Sequence, residues 1–305
     1  MLIDAVKYKT KKYMVIYNPS SGRELAGNRI FNAAKIAIEK RDLEITFFAT
    51  KKKDDAMEKA MEACSEEYDM IIACGGDGTI HEVVDGIMKS EKKTKLGILP
   101  AGTVNDFAEQ LHLPTTSQEF AQMLLNEKFE TIDVGRIENT YFTNVVCGGA
   151  FTDIAHTVNT DSKTFFGKYA YYFQAAVDIP GQLDKSYKIK YTLDDKESYI
   201  DTFLFIISNT TGAGGFKYLS PNAKYDDGLL DIVVFEKSSP ADLFQIFTKL
   251  FNGNHINHPK VHYLQAKDLK IECEEELIID VDGELWGKAP IELRSIHNVL
   301  EILVP

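Results

Sequence analysis

"IIACGGDGTIHEVVDGI", residues 71–87, decides the reading of this chain. An apolar run stops at Gly75-Gly76-Asp77-Gly78-Thr79 and resumes with apolar residues at helical spacing. The pattern predicts a buried strand, a tight turn and a helix. Glycine loses more conformational freedom on folding than any other residue, so a turn with three of them implies a backbone that must stay bare. Open α/β sheets bind ligands beyond the carboxyl ends of their strands. Backbone N–H groups in a glycine turn, with a helix N-terminus behind them, form an anion site. The turn is therefore expected to receive phosphates. Asp77 in its middle would be repelled by a phosphate unless a Mg²⁺ ion or a bound hydroxyl stood between them.

Around this stretch, short apolar strands alternate with helical patterns. KKYMVIYN (11–18), LEITFFAT (43–50), YDMIIAC (68–74) and KLGILPA (95–101) read as strands. Helices are expected over 28–41, 54–67, TIHEVVDGIMKSE, TVNDFAEQLHL and 117–127. This alternation predicts a parallel sheet covered by helices on both faces, a three-layer α/β domain over 1–130. After residue 130 the texture changes to many short strands, with helical segments at KTFFGKYAYYFQAAVDI and at 239–253. A β-sandwich domain over 131–296 is expected. Two domains also suit 305 residues, which exceed the usual limit of a single core.

Two further turns fall at the predicted sheet edge: Asn18-Pro19-Ser20-Ser21-Gly22 after the first strand, and Gly102-Thr103-Val104-Asn105-Asp106-Phe107 after the fourth. Each offers hydroxyls, an amide and backbone donors. Asp280, Asp282 and Glu284 alternate in ELIIDVDGEL, so a continuous strand would put all three on one side and crowd like charges, which suits a general base. KYDDGLLD (224–231) reads either as a turn entering a strand or as a carboxylate-and-carbonyl cradle for a hard cation.

Several classes are excluded. No GxxxxGK[ST] occurs, and the turn is not the dinucleotide GxGxxG. His81-Glu82-Val83-Val84-Asp85 lacks the second histidine of a zinc protease helix. A net charge of −12 argues against nucleic acid as a partner. No run of 18 apolar residues exists, so no stable membrane insertion is expected, and no signal peptide is visible. Cys64, Cys74, Cys147 and Cys273 are scattered and read as reduced thiols of a cytoplasmic protein.

GGDGT at 75–79, NPSSG at 18–22 and GTVNDF at 102–107 resemble the diacylglycerol kinase catalytic domain, a superfamily that includes sphingosine kinases and bacterial lipid kinases. SNTTGAGGFKYLSPNAKYDDGLLD (208–231) and DVDGEL (280–285) are similar to the soluble bacterial diacylglycerol kinases, and the resemblance spans nearly the whole chain. It implies that ATP is bound by Asn18, Pro19, Ser20, Ser21, Gly22, Thr50, Gly75, Gly76, Asp77, Gly78, Thr79, Thr103 and Asn105. It implies Asp282 as general base, with Asp77 and Glu284 in the catalytic centre. It implies a structural Mg²⁺ held by the Asp227 side chain and the carbonyls of Lys224 and Leu229, with Asp133 joined through water. A polar network is implied to run on through Asp106 or Asp133 to Arg23, and the C-terminal strand 297–305 is implied to return to the first domain.

The expected activity is transfer of the ATP γ-phosphate to diacylglycerol at the inner membrane face. Other lipid alcohols (a sphingoid base, phosphatidylglycerol or a polyprenol) stay open as acceptors. NAD kinase and a nucleotide-sensing regulatory protein are the remaining alternatives, and a homodimer is an open option. Because the net charge is −12, adhesion to an anionic bilayer needs a local face. The candidates are Lys7, Lys9, Lys11 and Lys12, or Lys163 and Lys168 beside Phe165, Phe166 and Tyr169.

Overall fold

A computed structural model describes residues 10–21, 26–150, 185–213 and 215–305. The chain divides into two compact units: Met1–Thr103 with His112–Glu130 and Glu301–Pro305, and Val104–Leu111 with Thr131–Leu300. Residues 104–111, which the sequence reading counts in the first domain, thus cluster with the second.

In the first unit, β1 (Lys11–Tyr17), β2 (Leu43–Ala49), β3 (Met70–Gly75) and β4 (Lys95–Pro100) run parallel in the order β2-β1-β3-β4. Tyr13, Met14, Val15 and Ile16 are all buried, as are Met70 to Cys74. Near-continuous apolar runs of this kind belong to strands covered on both faces. The cover comes from α1 (Ala26–Lys40), which packs on α5 (Ser117–Asn126), and from α2 (Asp55–Ser65), which packs on α3 (Asp77–Lys89). The last strand of the chain, β15 (Ile291–Leu303), ends beside β4, with Ile302 opposite Leu96 in parallel. Lys95 Nζ, 3.0 Å from Glu301, and Val304 N, which donates to Lys128 O at 2.9 Å, fasten it there.

The second unit holds α4 (Asp106–Gln110), β5 (Phe129–Ile137), β6 (Thr140–Phe142), β7 (Val145–Gly149), β8 (Tyr187–Leu193), β9 (Lys196–Ser208), β10 (Leu230–Glu236), α6 (Pro240–Leu250), β11 (Val261–Ala266), β12 (Asp268–Cys273), β13 (Ile278–Val281), β14 (Glu284–Lys288) and most of β15. Strand β9 turns the corner of the sandwich. Its first half pairs with β8, while its second half lies between β10 and β7. Strands that switch sheets in this way make sandwich corners. Phe142, Val146, Ile189, Phe205, Ile232 and Ile279 meet in the interior. Helix α6 covers the other face of β7, β9 and β10 through Leu243, Ile246 and Leu250. It starts with Ser239 and Asp242 in a capping box and Pro240 in the first turn, all readable in the sequence.

Three expectations change. The helix expected over TVNDFAEQLHL is only the five residues of α4, because Asn105 at φ 56° and His112 at φ 53° bracket it. PIELRS and VLEILVP are one strand, β15, kinked at Asn298 with φ 48°. ELIIDVDGEL is a hairpin: β13 ends at Val281, and Asp282 (φ 49°) and Gly283 (φ 86°) form the turn into β14. Asp280, Asp282 and Glu284 therefore do not alternate along one strand, and the one-sided crowding of charge expected from that reading does not hold. The segment 163–173, Lys7, Lys9, Gly22 and Arg23 lie outside the described residues.

Candidate active site

In the first unit, parallel register brings the predicted turns to one sheet edge. Tyr17 is opposite both Ala49 and Cys74, and Gly75 is opposite Pro100, so the four strands end level. The main chain then joins the turns. Asn18 N donates to Cys74 O at 3.0 Å, Thr50 N to Tyr17 O at 2.9 Å, and Ala101 N to Gly75 O at 2.7 Å. The Asn18 side chain accepts from Ser20 N at 2.9 Å and folds the NPSS turn around itself. Asn18, Pro19, Ser20, Ser21, Thr50, Gly75 to Thr79 and Thr103 thus share one edge, whereas Asn105 clusters with the second unit.

The glycines have a structural reason of their own. A Cβ on Gly75 would lie 2.4 Å from Thr79 Oγ1, and one on Gly76 would lie 3.3 Å from the Gly102 Cα. The bare backbone is needed first by the turn's own Thr79 and by the neighbouring turn. Asp77 opens α3, and Gly76 caps the helix without a side-chain bond. A carboxylate in the first turn is stabilised by the helix dipole, so Asp77 has a reason to sit there that the sequence reading did not weigh.

In the second unit, Asp282 is held by the main chain that opens β7. Its Oδ1 accepts from Val145 N at 2.8 Å and Asn144 N at 3.2 Å, and its Oδ2 from Thr143 N at 3.3 Å. Its own N donates to Val145 O at 2.8 Å. Asp280 Oδ1 accepts from Gly283 N at 2.7 Å and closes the turn. Glu284 stands opposite Val281 as β14 begins. An aspartate at a left-handed turn position with three amide donors is fixed in orientation before any substrate arrives.

A second cluster centres on Asp133, which is fully buried in β5. Its carboxylate accepts from Gly228 N at 2.6 Å and Asn298 N at 2.7 Å, and lies 2.9 Å from His297 Nδ1. Its N donates to Tyr225 O at 2.7 Å. His297 Nε2 lies 2.8 Å from Asn298 Nδ2, an amide donor, so Nδ1 carries the proton that Asp133 accepts. Asp133 therefore ties the loop Lys224–Leu229 to β15. Gly228 has φ +79°, and a Cβ there would meet His297 Nδ1 at 3.2 Å. Asp227 Oδ1 accepts from Leu229 N at 3.0 Å and shapes the same loop. Asp106 Oδ1 accepts from Gly215 N at 3.2 Å. One residue beyond Leu230, Asp231 is fully buried; Tyr263 and Gln265 donate to its Oδ1, while its Oδ2 has no partner among the described residues. Burial pushes its carboxyl up to about 6 against those two donors.

The sequence reading missed His297, Asn298 and Asn144. Only a His-Asn pair interrupting an alternating strand could have signalled the first two. Lys11, expected at a basic face, is instead 2.5 Å from Glu127. Cys64, Cys74 and Cys147 are buried free thiols, as expected.

Together the level sheet edge and the sandwich define a class, a parallel α/β domain followed by a β-sandwich domain. Residues 12–137 match the family model of the diacylglycerol kinase catalytic domain, and residues 144–304 match the YegS C-terminal NAD kinase beta sandwich-like domain. A diacylglycerol kinase of Staphylococcus carnosus is 35% identical over 97% of this chain and 95% of its own length. One from Staphylococcus epidermidis is 37% identical over 97% of this chain and 92% of its own. A solved structure of a diacylglycerol kinase from Bacillus anthracis superposes with a TM-score of 0.80 at 26% identity, covering 98% of this chain and 99% of that one. The chain belongs to the diacylglycerol kinase family.

Proposed function

We propose that this chain transfers the γ-phosphate of ATP to the hydroxyl of diacylglycerol, giving phosphatidic acid. The observation that carries the reading is the level sheet edge, where main-chain bonds hold the Asn18, Thr50, Gly75 and Ala101 turns side by side. Phosphoryl transfer asks for little covalent chemistry from a protein. It needs positioned phosphates, a cation across the β- and γ-oxygens and a base for the attacking hydroxyl. The phosphates take the amides and hydroxyls of Asn18 to Gly22, Thr50, Gly75 to Thr79 and Thr103, and Asn105 is a further contact of the nucleotide. Asp77 would hold the nucleotide's metal. The lipid hydroxyl gives its proton to Asp282, its oxygen attacks the γ-phosphorus in line, and the bond to the bridging oxygen breaks to release ADP. Glu284 supplies a further carboxylate at the same hairpin.

The loop Lys224–Leu229 suits a structural Mg²⁺. Its donors are all oxygens, namely the Asp227 carboxylate and the carbonyls of Lys224 and Leu229, and hard cations take such sets. No cluster of three His, Cys, Asp or Glu side chains exists among the described residues, so this set relies on main chain. Asp133 would reach the ion through water while its oxygens hold Gly228, Asn298 and His297. A magnesium ion on the nucleotide would supply charge neutralisation for the transferring phosphoryl group.

The substrate lies in a bilayer, and no helix among the described residues is long and apolar enough to cross one. The likeness of residues 144–304 to an NAD kinase sandwich keeps NAD as the second reading. Purified chain, ATP, Mg²⁺ and a panel of diacylglycerol, sphingoid base, phosphatidylglycerol, polyprenol and NAD decide between them. Phosphorylation of diacylglycerol above the rest is the expected result. Phosphorylation of NAD, or of another lipid alone, overturns the proposed acceptor.

A further inference from the structure

Asp282 is aimed by three main-chain amides, and one of them belongs to Asn144. What fixes Asn144 therefore bears on the base. The β7–β9 ladder ends with Val145 opposite Ser208. Beyond it two polar residues take over from the ladder. Asn209 is fully buried and Thr210 nearly so, as is Asn144 itself. Asn209 N donates to Asn144 O at 2.9 Å. The Thr210 hydroxyl donates to Asn144 Oδ1. Asn144 is thus held by its carbonyl and by its side chain, and its N–H goes to Asp282 Oδ1 at 3.2 Å.

The segment that does the holding is itself anchored. Asn209 Nδ2 donates to Asp133 O at 3.0 Å. Thr211 Oγ1 donates to Gln110 Oε1 in α4 at 2.6 Å, and Ser220 N to Thr211 O at 3.0 Å. The Thr210 hydroxyl has one proton and two acceptors in reach, Asn144 Oδ1 and, at 3.2 Å, Gly212 O. A buried polar group left without a partner is costly, so this arrangement favours one geometry. Packing alone would be met by valine, which has the shape of threonine. Only the hydroxyl engages the Asn144 side chain. A group that must take a proton from a substrate needs to stay within about 0.5 Å of its working position, and the residues behind it decide whether it does.

We propose that Thr210 is a positioning residue for the general base. Its hydroxyl, acting through Asn144, keeps the amide cradle in the geometry that aims Asp282 at the lipid hydroxyl, and Asn209 N provides the main-chain half of the same hold. The inference rests on the reading of Asp282 as the base.

The test measures kcat and the KM for ATP on the full chain, with Mg²⁺ and diacylglycerol in mixed micelles, beside the melting temperature. Thr210→Val keeps the shape and removes the hydroxyl. It should lower kcat by roughly 10–100-fold, since a misplacement of about 1 Å can cost about 10²-fold, and leave the KM for ATP at its wild-type value. Thr210→Ser returns the hydroxyl and should restore most of kcat. Thr202→Val is the control. Its hydroxyl, in the middle of β9, is fully buried and lies 3.0 Å from the Leu204 and Phe235 carbonyls. Its loss should lower the melting temperature while kcat, measured well below the transition, stays that of wild type. If Thr210→Val does not fold, Asn144→Ala takes its place. That variant removes the acceptor, leaves Thr210 the Gly212 carbonyl and should show the same loss of kcat at an unchanged KM for ATP. A Thr210→Val kcat equal to that of wild type or of Thr202→Val overturns the proposal. So does a serine variant as slow as the valine one, or a rise in KM alone. Failure of the underlying reading looks different: Asp282→Ala would then turn over as fast as wild type. A slow Asp282→Ala beside a fast Thr210→Val sinks the positioning role alone.

Discussion

Replacing Asp133 with alanine removes a carboxylate that joins the Lys224–Leu229 loop to β15. The carboxylate accepts from Gly228 N, Asn298 N and His297, and it is fully buried. Hydrogen bonds to a charged acceptor contribute about 1.5–3 kcal/mol each, and each buried donor left without a partner costs about 1–3 kcal/mol. These terms overlap, and the half-exposed His297 recovers water. The net loss is therefore taken as roughly 3–5 kcal/mol, below the plain sum and in the range for removing one partner of a buried ion pair. For a folding unit of this size 1 kcal/mol moves Tm by about 2–4 °C, so the transition of the second unit should fall by roughly 6–20 °C. Differential scanning calorimetry in Mg²⁺ and again in excess chelator measures it. Because the three partners are protein groups, the loss should appear in both buffers. A fall confined to the Mg²⁺ buffer would mean that Asp133 acts only through a bound ion, and an unchanged Tm would refute the network.

Asp282→Ala should lower turnover by roughly 10²–10⁴-fold while nucleotide binding persists, as removal of a general base does; calorimetric titration with ATP separates the two effects. Gly75→Ala places a Cβ 2.6 Å from Thr79 Cβ, and overpacking of that kind should cost about 1–3 kcal/mol, read as a lower Tm of the first unit without ligand. A wild-type Tm would show that the bare backbone serves a ligand alone. The buried Asp231 carboxyl, raised from 3.8 to about 6, binds its proton more tightly folded than unfolded. Its stabilising effect is whole below about pH 4 and lost as pH rises through about 6, on the order of 3 kcal/mol in all. In chelator, Asp231→Asn should flatten that part of the stability–pH curve, and an unchanged slope refutes the assignment.

The first unit was legible because buried parallel strands such as MIIACG are continuous apolar runs, and glycine turns mark where they stop. Level strand ends made the three turns into one edge, which alternation alone implies. The hairpin at Asp282 was misread for a physical reason. Asp280, Asp282 and Glu284 mimic strand alternation, although Asp-Gly between apolar residues is itself the signal of a two-residue turn. Strand β15 was split because Asn298 is left-handed in mid-strand and breaks the pattern. Asp133 and its partners His297 and Asn298 are 164 and 165 residues apart, so no local pattern could pair them. The sheet switch of β9 is likewise set by its neighbours and not by its own side chains.

The central claim is that one chain carries phosphate from ATP to a lipid hydroxyl. γ-Labelled ATP, Mg²⁺ and diacylglycerol in mixed micelles, with wild type beside Asp282→Ala, test it most directly. The account predicts label in phosphatidic acid with wild type and roughly 10²–10⁴-fold slower labelling with the variant. Label that stays in ATP or inorganic phosphate, or a variant that labels lipid as fast as wild type, would contradict it.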